Sequence, residues 1–257
     1  MTKKRKKLKP LGRTILICLE VCLAVIFLFS SYMTYQAWHM YKEAGTEYEE
    51  ITETAVIRKE VKNDTEETVE IDDTVDFEAL EEINPDIVAW ITLEDSMINY
   101  PVVQGEDNAY YLEHLFTRKV NHLGCVFMDY RTAADFSDYH TPLYAHHSQN
   151  GAMFAGIEKY KSQSFYETHK KIRLQTPDGE YTLEPYTGLV LNAEVDFLQL
   201  NFYSPEEFVR YANQWNNNST FASGIIITED DRIVTLITCT ADYENARYAL
   251  FCRLTEN

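Results

Sequence analysis

Thr235-Leu-Ile-Thr-Cys239 is a β-rich run that ends on a thiol and is followed by the polar stretch Thr240 to Asn245. A cysteine at a strand end is held by the sheet yet open to solvent, and reactive cysteines are partly exposed whereas inert ones are buried. Leu143-Tyr-Ala-His-His147 is an apolar approach to two adjacent histidines. An imidazole there can act as general acid or base, because its pKa sits near working pH. The pair makes a poor shared metal site, since adjacent strand residues point to opposite faces. His39, His114, His122, His140 and His169 show no tight ligand spacing either. Arg247 follows Cys239 at the start of the next β-rich run. If residues 240–246 form the turn, a hairpin brings guanidinium and thiol together, and a permanently charged guanidinium can hold negative charge on a tetrahedral intermediate. Singly, each residue has a plainer reading: a packed cysteine, a surface histidine pair, a solvated arginine.

The elements that must position these groups are mostly strands. Arg232 to Thr238 and Arg247 to Leu254 read as two strong strands at the end of the chain. Lys171 to Thr176 and Glu180 to Glu184 flank Pro177-Asp178-Gly179, a hairpin signal, and Gly188 to Leu191 is a further strand. Ile87 to Leu93 turns strand-like after Asn84-Pro85. Helical spacing is confined to short pieces. Phe77, Leu80, Ile83 and Ile87 recur at three- and four-residue intervals, and Asn108 to Phe116 reads as a short helix. Ser204-Pro205-Glu206-Glu207 opens a helix whose apolar face is Phe208, Tyr211, Ala212 and Trp215. Many strands with short helices imply a mainly β fold, a barrel or sandwich, and exclude a doubly wound sheet.

The first 75 residues read differently. Seven of the 23 basic residues lie in residues 1–13, which hold no acid, so residues 14–257 carry 16 basic against 41 acidic residues, a net −25. So acidic a body repels nucleic acid. From Ile15 the chain is apolar through Phe29 and on to Met33, broken only by Glu20. That is about the ~20 residues a membrane-spanning helix needs, and the basic cluster predicts a cytoplasmic N-terminus. A cleaved signal peptide is the alternative, but no small-x-small cleavage site follows the run. The expected organisation is a basic cytoplasmic tail (1–13), a transmembrane anchor (14–33), a helical then acidic extracellular spacer (34–75) and a catalytic domain (76–257). Cys125, Cys239 and Cys252 lie beyond the apolar run, an odd number for a disulfide framework. Cys125 and Cys252 sit in apolar contexts expected to bury them.

Order and spacing together make a family resemblance. Thr235-Leu-Ile-Thr-Cys239 resembles the TLxTC signature of sortases, Tyr144-Ala-His146 their histidine segment, and Arg247 falls where their arginine is expected. Asn108-Ala-Tyr-Tyr-Leu112 with His114 and Phe116, Gly124-Cys-Val-Phe-Met-Asp129, Gly151-Ala-Met-Phe154 and the helix at 204–216 resemble class B in particular. Ala145 stands where the family usually has glycine, and Ile237 where class B often has serine. The resemblance spans residues 76–254. It implies a closed eight-stranded β-barrel with peripheral helices and a transpeptidase with Cys239 as nucleophile, His146 as acid/base and Arg247 as oxyanion partner. It also implies a sorting-motif groove lined by Asn108, Leu112 and Leu200, and no metal or organic cofactor. The implied partners are secreted proteins with a C-terminal sorting motif and an amine of the peptidoglycan precursor. A pilin-polymerising sortase and an inactive binding module are the alternatives. A papain-like protease is disfavoured, because its cysteine comes early and on a helix.

Overall fold

The computed structural model describes residues 10–62, 69–194 and 197–257. Most of the expected basic tail and residues 63–68 of the expected spacer lie outside them. The chain divides into two compact units, residues 1–45 and 46–257. Helix α1 (Pro10–Ala55) begins in the first, where it carries the apolar run with its side chains exposed, and it is long and apolar enough to cross a membrane.

The second unit is a closed barrel. Its eight strands are β3 (Ile87–Thr92), β4 (Asn99–Val103), β5 (Val126–Met128), β6 (His140–Tyr144), β7 (Ile172–Thr176), β8 (Gly179–Asn192), β9 (Arg232–Cys239) and β10 (Ala246–Glu256). They close in the order β10-β8-β7-β3-β4-β5-β6-β9. Pairing is antiparallel except for β4 with β5 and β6 with β9. The two runs read as separate strands at 180–184 and 188–191 are one strand, β8, which absorbs Pro185 where its register with β10 shifts between Phe251 and Cys252. Proline lacks the ladder donor, so a bulge is where a paired strand tolerates it. Helix α2 (Phe77–Ile83) forms where the apolar spacing places it, its N-terminus capped by the Asp76 carboxylate on the Ala79 amide.

The helix read over Asn108–Phe116 is only a 3-10 turn, Tyr110–Leu112. Two of its carbonyls are taken by distant partners. Tyr111 O accepts from the Cys125 amide and Leu112 O from His146, so neither is free to continue a helix. This crossing requires Gly124, whose φ is +66° and where a Cβ would lie 2.6 Å from Tyr111 O.

The stretch expected as a spacer, 34–75, holds paired strands on either side of residues 63–68. Strand β1 (Val56–Lys62) pairs antiparallel with β2 (Val69–Val75). The end of α1 belongs to the folded unit: Tyr48, Ile51 and Ala55 are buried, and Tyr48 donates to Gly124 O at 2.8 Å. Lys119 pairs with Glu47 at 2.8 Å, and Gln175 of β7 donates to Asp73 O at 3.0 Å. A chain beginning at Thr46 is therefore expected to fold. One beginning at Asp76 should lose on the order of 5 kcal/mol, about two or three buried apolar side chains. Urea titration of the two chains measures this, and coincident midpoints would show residues 46–75 to be dispensable.

Candidate active site

Strand register brings the three predicted groups to one end of the barrel. Cys239 is the last residue of β9 and lies directly opposite Arg247 in β10. Directly opposed residues project from the same face, with Cβ atoms about 4.5–5.5 Å apart. On the other side of β9, β6 runs parallel, with Tyr144 beside Ile237. The pairing continues past the strand ends. The Ala145 amide donates to Ile237 O at 3.2 Å, and the Thr238 hydroxyl donates to Ala145 O at 2.9 Å. His146, two residues past Tyr144, thus leaves β6 level with Cys239, two residues past Ile237. Register therefore places Cys239 between His146 and Arg247 on three adjacent strands.

The barrel face carrying this row is covered up to the site and open at it. Ile237, Ala249 and Phe251, on the face of Cys239 and Arg247, pack into a cluster with Phe208, Tyr211 and Ala212 of α4 (Pro205–Asn213). Helix α4 forms as read from its cap, with the Ser204 hydroxyl accepting from the Glu207 amide at 3.3 Å. Beyond Ile237 the cover ends, and Cys239 and Arg247 are half-buried. All five cysteines are free. Cys125 and Cys252 are fully buried; burial pushes the Cys125 thiol up to about 12 and raises that of Cys252 as well. Neither offers a thiolate near neutral pH, whereas Cys239 is reachable.

His146 Nε2 lies 2.7 Å from Leu112 O. A carbonyl only accepts, so Nε2 carries the hydrogen and Nδ1 is the nitrogen that can take up or release a proton. His147 turns elsewhere, with Nε2 2.8 Å from Glu158 Oε2. Adjacent residues facing opposite ways keep the two imidazoles in separate roles.

Leu112, read as a groove residue, contributes its backbone carbonyl to His146, and its side chain is half-buried. Asn108 is tied into the wall. Its amide nitrogen donates to Asp129 at 3.0 Å, and its oxygen accepts from the Tyr130 amide at 3.1 Å. Leu200 is half-buried in the segment between β8 and α4. Its neighbour Gln199 accepts from His140, on β6 at the other end from Tyr144.

Two residues outside the predicted set organise this wall. Asp129, fully buried, accepts from Arg131 Nε and Nη2 at 2.8 and 2.7 Å, from Tyr144 OH at 2.9 Å and from Asn108. Burial alone would raise its pKa, but the bonds from Arg131, Tyr144 and Asn108 together outweigh it and hold the carboxylate below its ordinary range. The aspartate had a signal, as the last residue of Gly124-Cys-Val-Phe-Met-Asp129. His140 had none. Its Nδ1 donates to Gln199 O and its Nε2 accepts from the Thr235 hydroxyl, both at 2.8 Å. Burial drives it down to about 4, against smaller upward pulls from Gln199 O and Asp129, so it is neutral.

A depressed histidine pKa ties stability to pH. The unfolded chain takes up a proton near 6.5 and the folded chain only near 4. His140's contribution is therefore full above about pH 6.5 and is lost as pH falls through about 4, a total of roughly 3 kcal/mol. Urea midpoints from pH 7.5 to 4.5 should fall accordingly, and a flat profile would mean that His140 protonates freely in the folded state.

Among the described residues no group of three or more His, Cys, Asp or Glu side chains is arranged to hold a metal ion.

A closed eight-stranded barrel that brings a reachable cysteine, a histidine and an arginine to one end has the fold and a candidate site of a cysteine transpeptidase. Comparison with known proteins bears out the fold and the enzyme class. The family model described as Sortase domain matches residues 91–255. Sortase B of Staphylococcus aureus is 36% identical over 167 residues, 65% of this chain and 68% of the relative. Among solved structures, the S. aureus sortase B–substrate complex is 34% identical at a TM-score of 0.66, covering 70% of this chain and 84% of that one. Sortase B from B. anthracis gives a TM-score of 0.73 at 28% identity, over 86% of this chain and all of its own. The chain belongs to the sortase family, in its class B, and is a cysteine transpeptidase.

Proposed function

We propose that Cys239 cleaves a Thr–Gly-type bond in the C-terminal sorting motif of a secreted protein and that the chain transfers the protein to an amino group of the peptidoglycan precursor. The observation that carries this reading is the row His146, Cys239, Arg247 on adjacent strand ends, with the thiol in the middle. That a relative has been solved as a sortase B–substrate complex supports a sortase B substrate for this chain.

The Cys239 thiolate attacks the carbonyl carbon, and the electron pair moves to the oxygen, where the Arg247 guanidinium compensates the charge. As the intermediate collapses the C–N bond breaks, and His146 Nδ1 gives its proton to the departing amine. A thioester on Cys239 remains. The incoming amine attacks it, neutral His146 takes the proton, and the second collapse forms the new amide and returns the thiolate. A free thiol is only a few per cent ionised at pH 7, so the thiolate–imidazolium pair is the active form. Leu112 O suits this cycle: it holds the ring through Nε2–H in both protonation states and leaves Nδ1 to the reaction. Asn108, Leu112 and Leu200 are proposed to line the peptide groove, Asn108 through the wall it forms with Asp129. The test is amine dependence. A sorting-motif peptide incubated with the chain should give a second, amine-bearing product only when a peptidoglycan-type amine is supplied. Hydrolysis alone under all amines would reduce the chain to a protease.

Helix α1 is proposed as a retained anchor, with residues 1–13 cytoplasmic and residues 46–257 outside the membrane. Externally added protease should digest the barrel on intact protoplasts, and full protection would refute this orientation.

A further inference from the structure

The 3-10 segment Phe154–Lys161 lies between the two site segments. It starts where the Phe154 amide donates to His146 O at 3.1 Å, beside a bridge between His147 and Met153. At its far end the Lys161 ammonium donates to Glu158 Oε1 and to Thr240 Oγ1, both at 2.9 Å, and to the Asp242 carboxylate. It also lies 5.5 Å above the Tyr248 ring. Thr240 immediately follows Cys239, and its own hydroxyl donates to Asp242. The second oxygen of Glu158 points the other way, to His147 at 2.8 Å. Glu158 and Lys161 together therefore join the residue after His146 to the residue after Cys239. Residues 241–245 are exposed, and Asn245 has φ +60°. Without Lys161 their ties are the Thr240–Asp242 bond within the turn and backbone bonds such as Thr240 N to Ala246 O and Ala193 N to Asn245 O. Charge-assisted bonds in a partly buried cluster are the stronger kind.

We propose that Glu158 and Lys161 are positioning residues that brace the histidine segment and the cysteine turn against each other, so that thiol and imidazole keep their spacing through both half-reactions. The ionisation of the cluster agrees. Burial disfavours charge on both residues. Even so, the nearby Thr240 hydroxyl, the Lys161 ammonium and His147 bring Glu158 below its ordinary value, and the bonds to Asp242 and Glu158 raise Lys161. The catalytic half of this proposal rests on the roles given above to Cys239 and His146; the bracing does not.

The experiment is amide hydrogen exchange by mass spectrometry on the full chain in detergent, which needs no substrate. Glu158→Ala should raise exchange about tenfold in both His146–Ser148 and Thr240–Ala246, the loss of one charge-assisted bond. Lys161→Met should do so in Thr240–Ala246, and Lys161→Arg should restore protection. Strand β7 should be unaffected throughout. An unchanged segment in Glu158→Ala, or loosening of β7 to the same degree, would overturn the brace. With a peptide that the wild-type chain cleaves, Lys161→Met should lower kcat about tenfold and leave KM within about twofold, since position and not binding is lost. Equal loss through KM would overturn the positioning role. If the wild type cleaves no peptide, the transfer reading has failed, and the exchange result still decides the brace.

Discussion

Cys239→Ala is expected to abolish turnover and to leave the barrel folded, within about 1 kcal/mol of wild type, because a half-buried thiol at a strand end contributes little packing. No other cysteine can take its place. Cys125 and Cys252 are fully buried with raised pKa values, and Cys18 and Cys22 lie in the apolar part of α1. Replacing the partner across the hairpin has a graded effect. Arg247→Ala should leave Cys239 open to alkylation yet slow turnover by about 10²–10³-fold, the usual result of losing one oxyanion donor. Peptide cleavage assays beside thermal melts separate the two outcomes. Unfolding of Cys239→Ala would mean that the thiol belongs to the core.

His146→Ala is expected to lower turnover by about 10²–10⁴-fold, the range for loss of a general acid–base. His147→Ala should be tolerated far better, losing less than about tenfold. The two histidines are neighbours in sequence and strangers in space. His146 bonds Leu112 O, whereas His147 bonds Glu158, and removing it still leaves Lys161 on the cysteine turn. Turnover of the two variants under one set of conditions checks this, and the reverse order would show the acid/base to be His147.

The site was legible because its residues end strands whose patterns are local. Leu143-Tyr-Ala-His and Thr235-Leu-Ile-Thr-Cys announce both strand and break, and a short turn sets Arg247 against Cys239. Helix α4 was legible for the same reason, its cap and proline lying within one turn of its start. Strands β1 and β2 were not. Val56-Ile-Arg-Lys-Glu-Val-Lys62 and Val69-Glu-Ile-Asp-Asp-Thr-Val75 are too charged to show a clear period, and they are strands because each finds the other. The burial of Tyr48 and Ile51 was hidden too, since the surface that covers them is supplied in part by residues near Gly124. His140 gave no signal because its partners, Gln199 and Thr235, are far along the chain. The same distance hid the contact of Lys161 with Thr240. Sequence spacing finds residues on one element or one turn; closure of the barrel supplies the rest.

The central claim, that acyl transfer runs through Cys239, is tested most directly by trapping the intermediate. The full chain in detergent, incubated with a sorting-motif peptide and no amine, then digested at low pH and examined by mass spectrometry, should carry the acyl fragment as a thioester on the peptide containing Cys239. Added amine should discharge it. An adduct on Cys125 or Cys252, or cleavage that persists in Cys239→Ala, would contradict the mechanism.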